Sequence, residues 1–333
     1  MRQRLIHRIM SQRCIIDCHT HVGISFKNYV TQAYPYCLSF EDLVVRMKSL
    51  GIGHSMVFPM DSIFYRASLT QEKEIRTTRK FSKFPYELEN RNLLKEIYEI
   101  FPEYSALAIP FLAFDPSRQT QKQADLLTEL YKDYPVFGLK TCTTYIQAFI
   151  KDLDTVGKPI LEFALKYNLP VTIHSSYDKS DPWAALDDII RIAERHPSLR
   201  VCIAHTARFV NSALEKAASL RNCFVDLSAF SIHCLLAVQN HRAIPPEGER
   251  FSANYSKPAT VMKKIVGEFG DTIIWGSDTP SNYFIQKYYD ATGEIIDIKL
   301  KSGFDSEIRL LRTLSDKYVQ KIAYENTLKF LFG

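Results

Sequence analysis

The stretch "RCIIDCHTHVG", residues 13–23, places Asp17, His19 and His21 at alternate positions after a short apolar run. In an extended strand alternate side chains project from one face, so His19 and His21 stand side by side with their backbones about 6.5 Å apart. Two imidazoles on that spacing can converge on one cation with bonds of about 2.0 to 2.1 Å. A lone H-x-H equally describes two polar residues hydrogen-bonded at a strand end. The chemistry therefore depends on what other segments bring to the same place.

Several other apolar runs close on a polar residue where a packing side chain is expected. They are Lys140 in "VFGLKTCT", His174 in "LPVTIHSS", His205 in "LRVCIAHTA" and Asp278 in "TIIWGSDTP". Four of the nine histidines fall at such places. Packing titratable groups out of water is unfavourable unless a cation or a hydrogen-bond network compensates them, so the set points to a bound metal ion. Cys202 and His205 have the separation of a cysteine-histidine metal pair, but three steps along a strand send them to opposite faces and Cys202 into the core. Asp226 in "CFVDLSAF" reads as a supporting carboxylate or as a solvated strand end. Asp17, one pleat below His19, reads as an acceptor behind the ligands or as a structural group.

The elements that must carry these residues are visible as β-rich runs at 14–22, 53–61, 105–114, 136–143, 169–176, 199–207, 223–230 and 272–280. Segments with helical periodicity lie between them. In "SFEDLVVRMKSLG", for example, Ser39 and Asp42 form a capping box and Gly51 a stop. Eight alternating units with nearly continuous apolar strands predict an α/β fold, a closed (β/α)8 TIM barrel. Extended loops follow strands 1, 2 and 7, at 23–39, 62–104 and 231–256, on the face where such barrels keep their sites. Within the second, the charged run 70–83 reads most simply as an exposed helix, or contributes Arg76 or Arg79 to a lid over an anionic substrate; Tyr65, Arg66 and Tyr145 sit in loops facing the same rim. No internal repeat or linker divides the chain, so 1–333 reads as a single domain with residues 1–13 as an N-terminal tail.

Composition narrows the partners. With 46% hydrophobic and 24% charged residues and no apolar run of about 18, the chain reads as soluble, with no membrane span. A net charge of +5 from scattered basic residues does not suggest nucleic acid, and is compatible with an anionic small molecule. Seven cysteines without paired spacing read as reduced thiols in a cytoplasmic protein. The basic opening lacks the apolar segment of a secretion signal, and a short mitochondrial leader is the alternative. No G-x-G-x-x-G follows a strand, which argues against a dinucleotide site.

"DCHTH", "GLK", "LPVTIHSS", "IAHT", "FVDLSA", "IIWGSDTP" and the closing "IAYENTLKFLFG" resemble, in order, the amidohydrolase superfamily and its amidohydrolase-related branch. The resemblance implies a metal-dependent barrel enzyme using Zn2+, with Mn2+ the alternative. It implies that His19, His21, His174 and Asp278 bind one metal, and that His205 contacts substrate or a second ion. Asp278 would move the proton of metal-activated water, and His205 would stabilise a developing oxyanion. Lys140 would be a third catalytic group, a carboxylated bridge between two metals, or a lysine paired with a nearby carboxylate; one ion is favoured over two. The run "HTARF" departs from the glycine that many relatives carry there, which puts Ala207 and Arg208 at the pocket edge.

The expected activity is hydrolysis of an amide, lactone or ester bond of a small organic molecule. The alternatives are metal-dependent decarboxylation of a carboxylated substrate and a noncatalytic barrel that binds a ligand. A homo-oligomer is compatible with the sequence, which gives neither the oligomeric state nor the substrate.

Overall fold

A computed structural model describes residues 1–30, 32–60, 65–67, 75–77, 82–289 and 295–333. All eight expected strands are present: β1 Ile15–Ile24, β2 Ile52–Pro59, β3 Ala108–Ala113, β4 Gly138–Thr141, β5 Val171–Ile173, β6 Val201–Ile203, β7 Cys223–Asp226 and β8 Ile273–Ile274. They pair in parallel in sequence order, and helices separate them along the chain. The sheet curls until β8 returns to β1. Along this seam the Cys18 amide donates to the Trp275 carbonyl (3.0 Å), the Asp278 amide to His19 (2.8 Å) and the His21 amide to Thr279 (2.7 Å). A parallel bridge between Thr20 and Thr279 completes the closure, and the barrel has no open edge there.

Two apolar layers follow from this arrangement. Outward strand residues such as Val57, Leu139 and Val225 pack with helix residues such as Leu43, Leu127 and Ile189 into the larger core. Inside the barrel, Ile16, Cys18, Phe58, Phe111, Cys202, Phe224 and Ile274 fill the floor. The segment read as a tail contributes to that floor. Arg2–Ser11 is a helix whose Leu5 and Ile9 are buried against the same cluster, together with Tyr324, Phe330 and Leu331 from the other end of the chain.

The first long connection leads into the helix Phe40–Leu50, capped as expected: Ser39 accepts from the Asp42 amide and Gly51 ends the helix in the left-handed region at φ 69°. In the second, Arg79 and the side chains of Tyr65, Arg66 and Arg76 lie outside the described residues. After β8 the chain builds an unexpected antiparallel hairpin, Tyr283–Tyr289 with Ile295–Lys301. Its signal was present in the sequence as alternation in "YFIQKYY" and "IIDIKLK" on either side of the glycine-containing run "DATGE". None of the seven cysteines is joined in a disulfide. Among the described residues no helix is long and apolar enough to cross a membrane.

Candidate metal centre

Strict alternation along β1 would not place its residues as they are found. Between Asp17 and Thr20, three steps on β1 face two on β2, Ser55 to Val57, so β1 carries an extra residue. Such a bulge resets which face a side chain meets. Ile16 and Cys18 therefore fill the floor, while His19 and His21 also turn inward and pack edge-on against Phe58, with centroids 5.0 and 5.4 Å away. Asp17 stays with the backbone: its Oδ1 accepts from the amides of His19 (3.1 Å) and Ser277 (2.9 Å), which ties β1 to β8. Burial, with weaker opposition from these bonds, pushes its carboxyl up to about 7.

His19 is oriented from behind. Its Nδ1 donates to Asp226 Oδ2 at 2.8 Å, which leaves the Nε2 lone pair facing the barrel mouth. His21 Nδ1 lies 3.3 Å from the Pro59 carbonyl, which can only accept, so its Nε2 is also a lone pair. These two Nε2 atoms face each other at 3.3 Å, with Asp278 Oδ1 3.4 Å from one and 3.6 Å from the other. Three electron-rich atoms so close repel unless a cation lies among them. Lys140 supplies one charge, its Nζ 3.2 Å from His19 Nε2 and 5.1 Å from the Phe58 ring centre.

His19, His21 and Asp278 form a group whose ligand atoms all lie within 4.8 Å of one another. Two neutral imidazoles and one carboxylate suit a divalent transition ion. Burial, reinforced by Lys140 and opposed by Asp226, takes His19 down to about 4, and burial with His19 and Lys140 takes His21 further below its ordinary range. Both rings are therefore in the neutral form that a ligand requires. Burial pushes Asp278 well above the carboxylate range, with Lys140 pulling it back and Asp226 adding to the rise.

His174 is adjacent but outside that group. Its Nδ1 lies 2.9 Å from His205 Nε2 and its Nε2 accepts from Arg208 Nη2 at 3.0 Å. His205 Nδ1 reaches Ser228 Oγ (2.9 Å) and approaches Asp278 Oδ2 (3.9 Å), and Ser228 in turn donates to Asp226 Oδ1. One consistent set of protons runs through this chain: Arg208 to His174, His174 to His205, His205 to Ser228, Ser228 to Asp226. Every ring nitrogen of His174 and His205 is thereby engaged.

Asp226 is thus the hub beneath the site, accepting also from the His205 and Ser228 amides (2.9 and 3.0 Å). Burial would raise it, but His19, Lys140 and Ser228 outweigh that and hold it below the usual carboxylate range. It is a supporting carboxylate, not a solvated strand end. Cys202 is core, as expected, yet its Sγ lies 3.8 Å from Asp226 Oδ2, so it shares the inner face with the site. The opposite-face reading failed because β6 ends at Ile203 and the chain then turns sharply. His205 to Phe209 run through five left-handed residues, φ 63°, 54°, 46°, 54° and 62°. For residues with a Cβ this conformation costs about 1 to 2 kcal/mol each, and strain of this kind clusters at functional sites.

That turn delivers Arg208 into the site. Its buried Nη1 donates to His233 Nε2 at 2.6 Å. The sequence reading placed position 233 in the extended loop 231–256 and gave His233 no role; the available signal was one imidazole in an apolar run, which the structure shows as the helix Phe230–Val238. The cavity at the barrel mouth measures about 240 Å³ and is lined by His21, Lys140, Tyr145, Arg208, His233 and Asp278, among others. Phe284 and Leu300, cross-strand partners in the hairpin, form part of its wall.

The fold recurs in solved structures at identities that carry fold alone. A probable 2-pyrone-4,6-dicarboxylic acid hydrolase from Acinetobacter baumannii, with citric acid bound, is 14% identical at a TM-score of 0.56, covering 96% of this chain and 99% of that one. A 5-carboxyvanillate decarboxylase from Novosphingobium aromaticivorans, with bound manganese, is 10% identical at 0.57, covering 96% and 98%. A 4-oxalomesaconate hydratase from Rhodopseudomonas palustris is 14% identical at 0.55, covering 95% of each chain. No curated protein matches the sequence. The profile of the family described as Amidohydrolase matches residues 123–333, from the helix after β3 to the last residue, and the chain belongs to that amidohydrolase family.

Proposed function

We propose that this protein is a metal-dependent hydrolase that cleaves an amide, lactone or ester bond of a small organic molecule. His19, His21 and Asp278 would hold the ion, Zn2+ or Mn2+. The observation that carries this reading is the pair of imidazole lone pairs facing each other at 3.3 Å beside a carboxylate. The described residues contain one such group, which favours one ion over two. When bound, the ion supplies a Lewis acid that lowers the pKa of water.

The chain's own groups do the remaining work. Asp278 Oδ2, on a carboxyl whose burial raises its proton affinity, accepts the proton of the attacking water and passes it to the leaving group. Lys140 Nζ offsets the negative charge that gathers as the bond breaks. His205 and Arg208 together hold His174 in place beside the metal group. The free thiols support a cytoplasmic setting, and one sheet running from β1 to β8 supports a single domain.

Decarboxylation is the second reading. The neighbour with bound manganese is named a decarboxylase, and the cationic Lys140 and Arg208 at the cavity would receive a carboxylated substrate. Emission spectroscopy on the purified protein is expected to find about one equivalent of Zn or Mn. His19→Ala and Asp278→Asn should lose nearly all of it, and Asp226→Asn should bind it about 10- to 100-fold more weakly. Turnover in ¹⁸O-labelled water separates the two chemistries, since only hydrolysis places solvent oxygen in the product. Wild-type metal content in both ligand variants would overturn the assignment.

A further inference from the structure

Arg208 is only 9% exposed, yet no carboxylate among the described residues forms an ion pair with it. Its Nε donates to the Ser175 carbonyl (2.7 Å), Nη1 to His233 Nε2 and Nη2 to His174 Nε2. All three partners are neutral acceptors, because an imidazole nitrogen that accepts from a guanidinium N–H carries no proton of its own. The carboxylates that act on Arg208 from further away are engaged elsewhere. Asp181 accepts from Thr144 through Oδ2, its buried Oδ1 reaches no partner among the described residues, and Asp278 faces the imidazoles of the metal group; neither forms an ion pair with Arg208. A guanidinium taken out of water among neutral groups is unfavourable until an anion joins it.

The geometry limits what that anion is. Three of five guanidinium N–H groups are used internally, leaving one on each terminal nitrogen, the number that a carboxylate accepts in a two-point pair. A phosphate would bring further charged oxygens against Ile232 and Leu236, which line the same cavity. The two imidazoles fix the fork from behind, and the strained left-handed turn that aims it inward has no other evident use. Only His174 and His205 separate the fork from Asp278, so an anchored molecule would present a bond a few atoms from its carboxylate to the metal group.

We propose that Arg208, clamped by His174 and His233, anchors a substrate carboxylate, so that the substrate of the hydrolase proposed above is a small carboxylic acid. This rests on that reading for the reaction but not for the binding. Titration calorimetry with benzoate, its neutral isostere benzamide and inorganic phosphate tests it, on metal-loaded and chelator-treated protein alike. Both forms are expected to bind benzoate, with benzamide and phosphate at least about 30-fold weaker. Arg208→Gln should lose about 30-fold or more of the benzoate affinity in both forms and leave benzamide unchanged. Arg208→Lys, which keeps the charge but not the fork, should lose about five- to tenfold. If Arg208→Gln does not fold, Arg208→Lys and the benzoate-to-benzamide ratio of the unaltered protein decide the matter.

Equal affinity for benzoate and benzamide, a preference for phosphate, or unchanged benzoate binding by Arg208→Gln overturns the anchor. The two proposals fail separately. Protein that takes up no metal but binds benzoate through Arg208 keeps the anchor and removes the metal-dependent reaction. Protein that loads metal and ignores the carboxylate removes the anchor alone.

Discussion

Five imidazoles, those of His19, His21, His174, His205 and His233, are held in the neutral form by burial and by neighbouring cations. Each binds its proton less readily folded than unfolded. The unfolded chain therefore takes up more protons as the pH falls below the ordinary histidine value of 6.5, and stability falls with it. For His19 the loss runs from about 6.5 down to about 4. The raised carboxyls of Asp17, Glu96, Asp115, Asp278 and Glu307 work the other way, since the fold keeps their protons as the pH rises, but the lowered rings of His54 and His241 make the imidazoles seven against five. Thermal unfolding of the metal-free protein should show a midpoint that drops steadily from pH 7 to pH 4.5, with more than one proton taken up per molecule. A flat profile over that range would mean that these rings are charged or solvated in the fold.

At the scale of elements, much of the site could be read from strand ends. A parallel strand buried on both faces is an apolar run, so a histidine or aspartate closing it stands out, as His174, His205 and Asp278 do. Contacts made by a turn or by distant packing left weaker marks. The extra residue in β1 exists only relative to β2, Arg208 reaches inward only because five residues adopt left-handed backbone, and the floor helix has its partner only once the barrel exists. Leu5 and Ile9 lie on one helical face, a visible pattern whose buried counterpart is assembled from both ends of the chain. Ile9 is fully buried. Ile9→Ala should destabilise the protein by about 2 to 4 kcal/mol in urea unfolding while leaving metal content unchanged. A loss below about 0.5 kcal/mol would show the helix to be undocked in solution.

Taken as a whole, the molecule sets its donor spacing by how closely β1 approaches the segment after β8. At Gly276 that approach leaves no room for a side chain: a Cβ there would lie 2.7 Å from the His19 Cβ and 2.9 Å from its amide nitrogen. Neither atom can move without shifting the seam. Gly276→Ala is expected to reduce metal affinity at least about tenfold and stability by about 1 to 3 kcal/mol, followed by chelator competition and urea unfolding. Undiminished metal affinity in that variant would separate donor spacing from closure of the barrel. Because His19 and His21 belong to β1 and Asp278 follows β8, a chain emerging from the ribosome carries two stranded imidazoles while every strand between them is made. Completing the cylinder and completing the cradle for the ion are one event, reached only when the final strand is released.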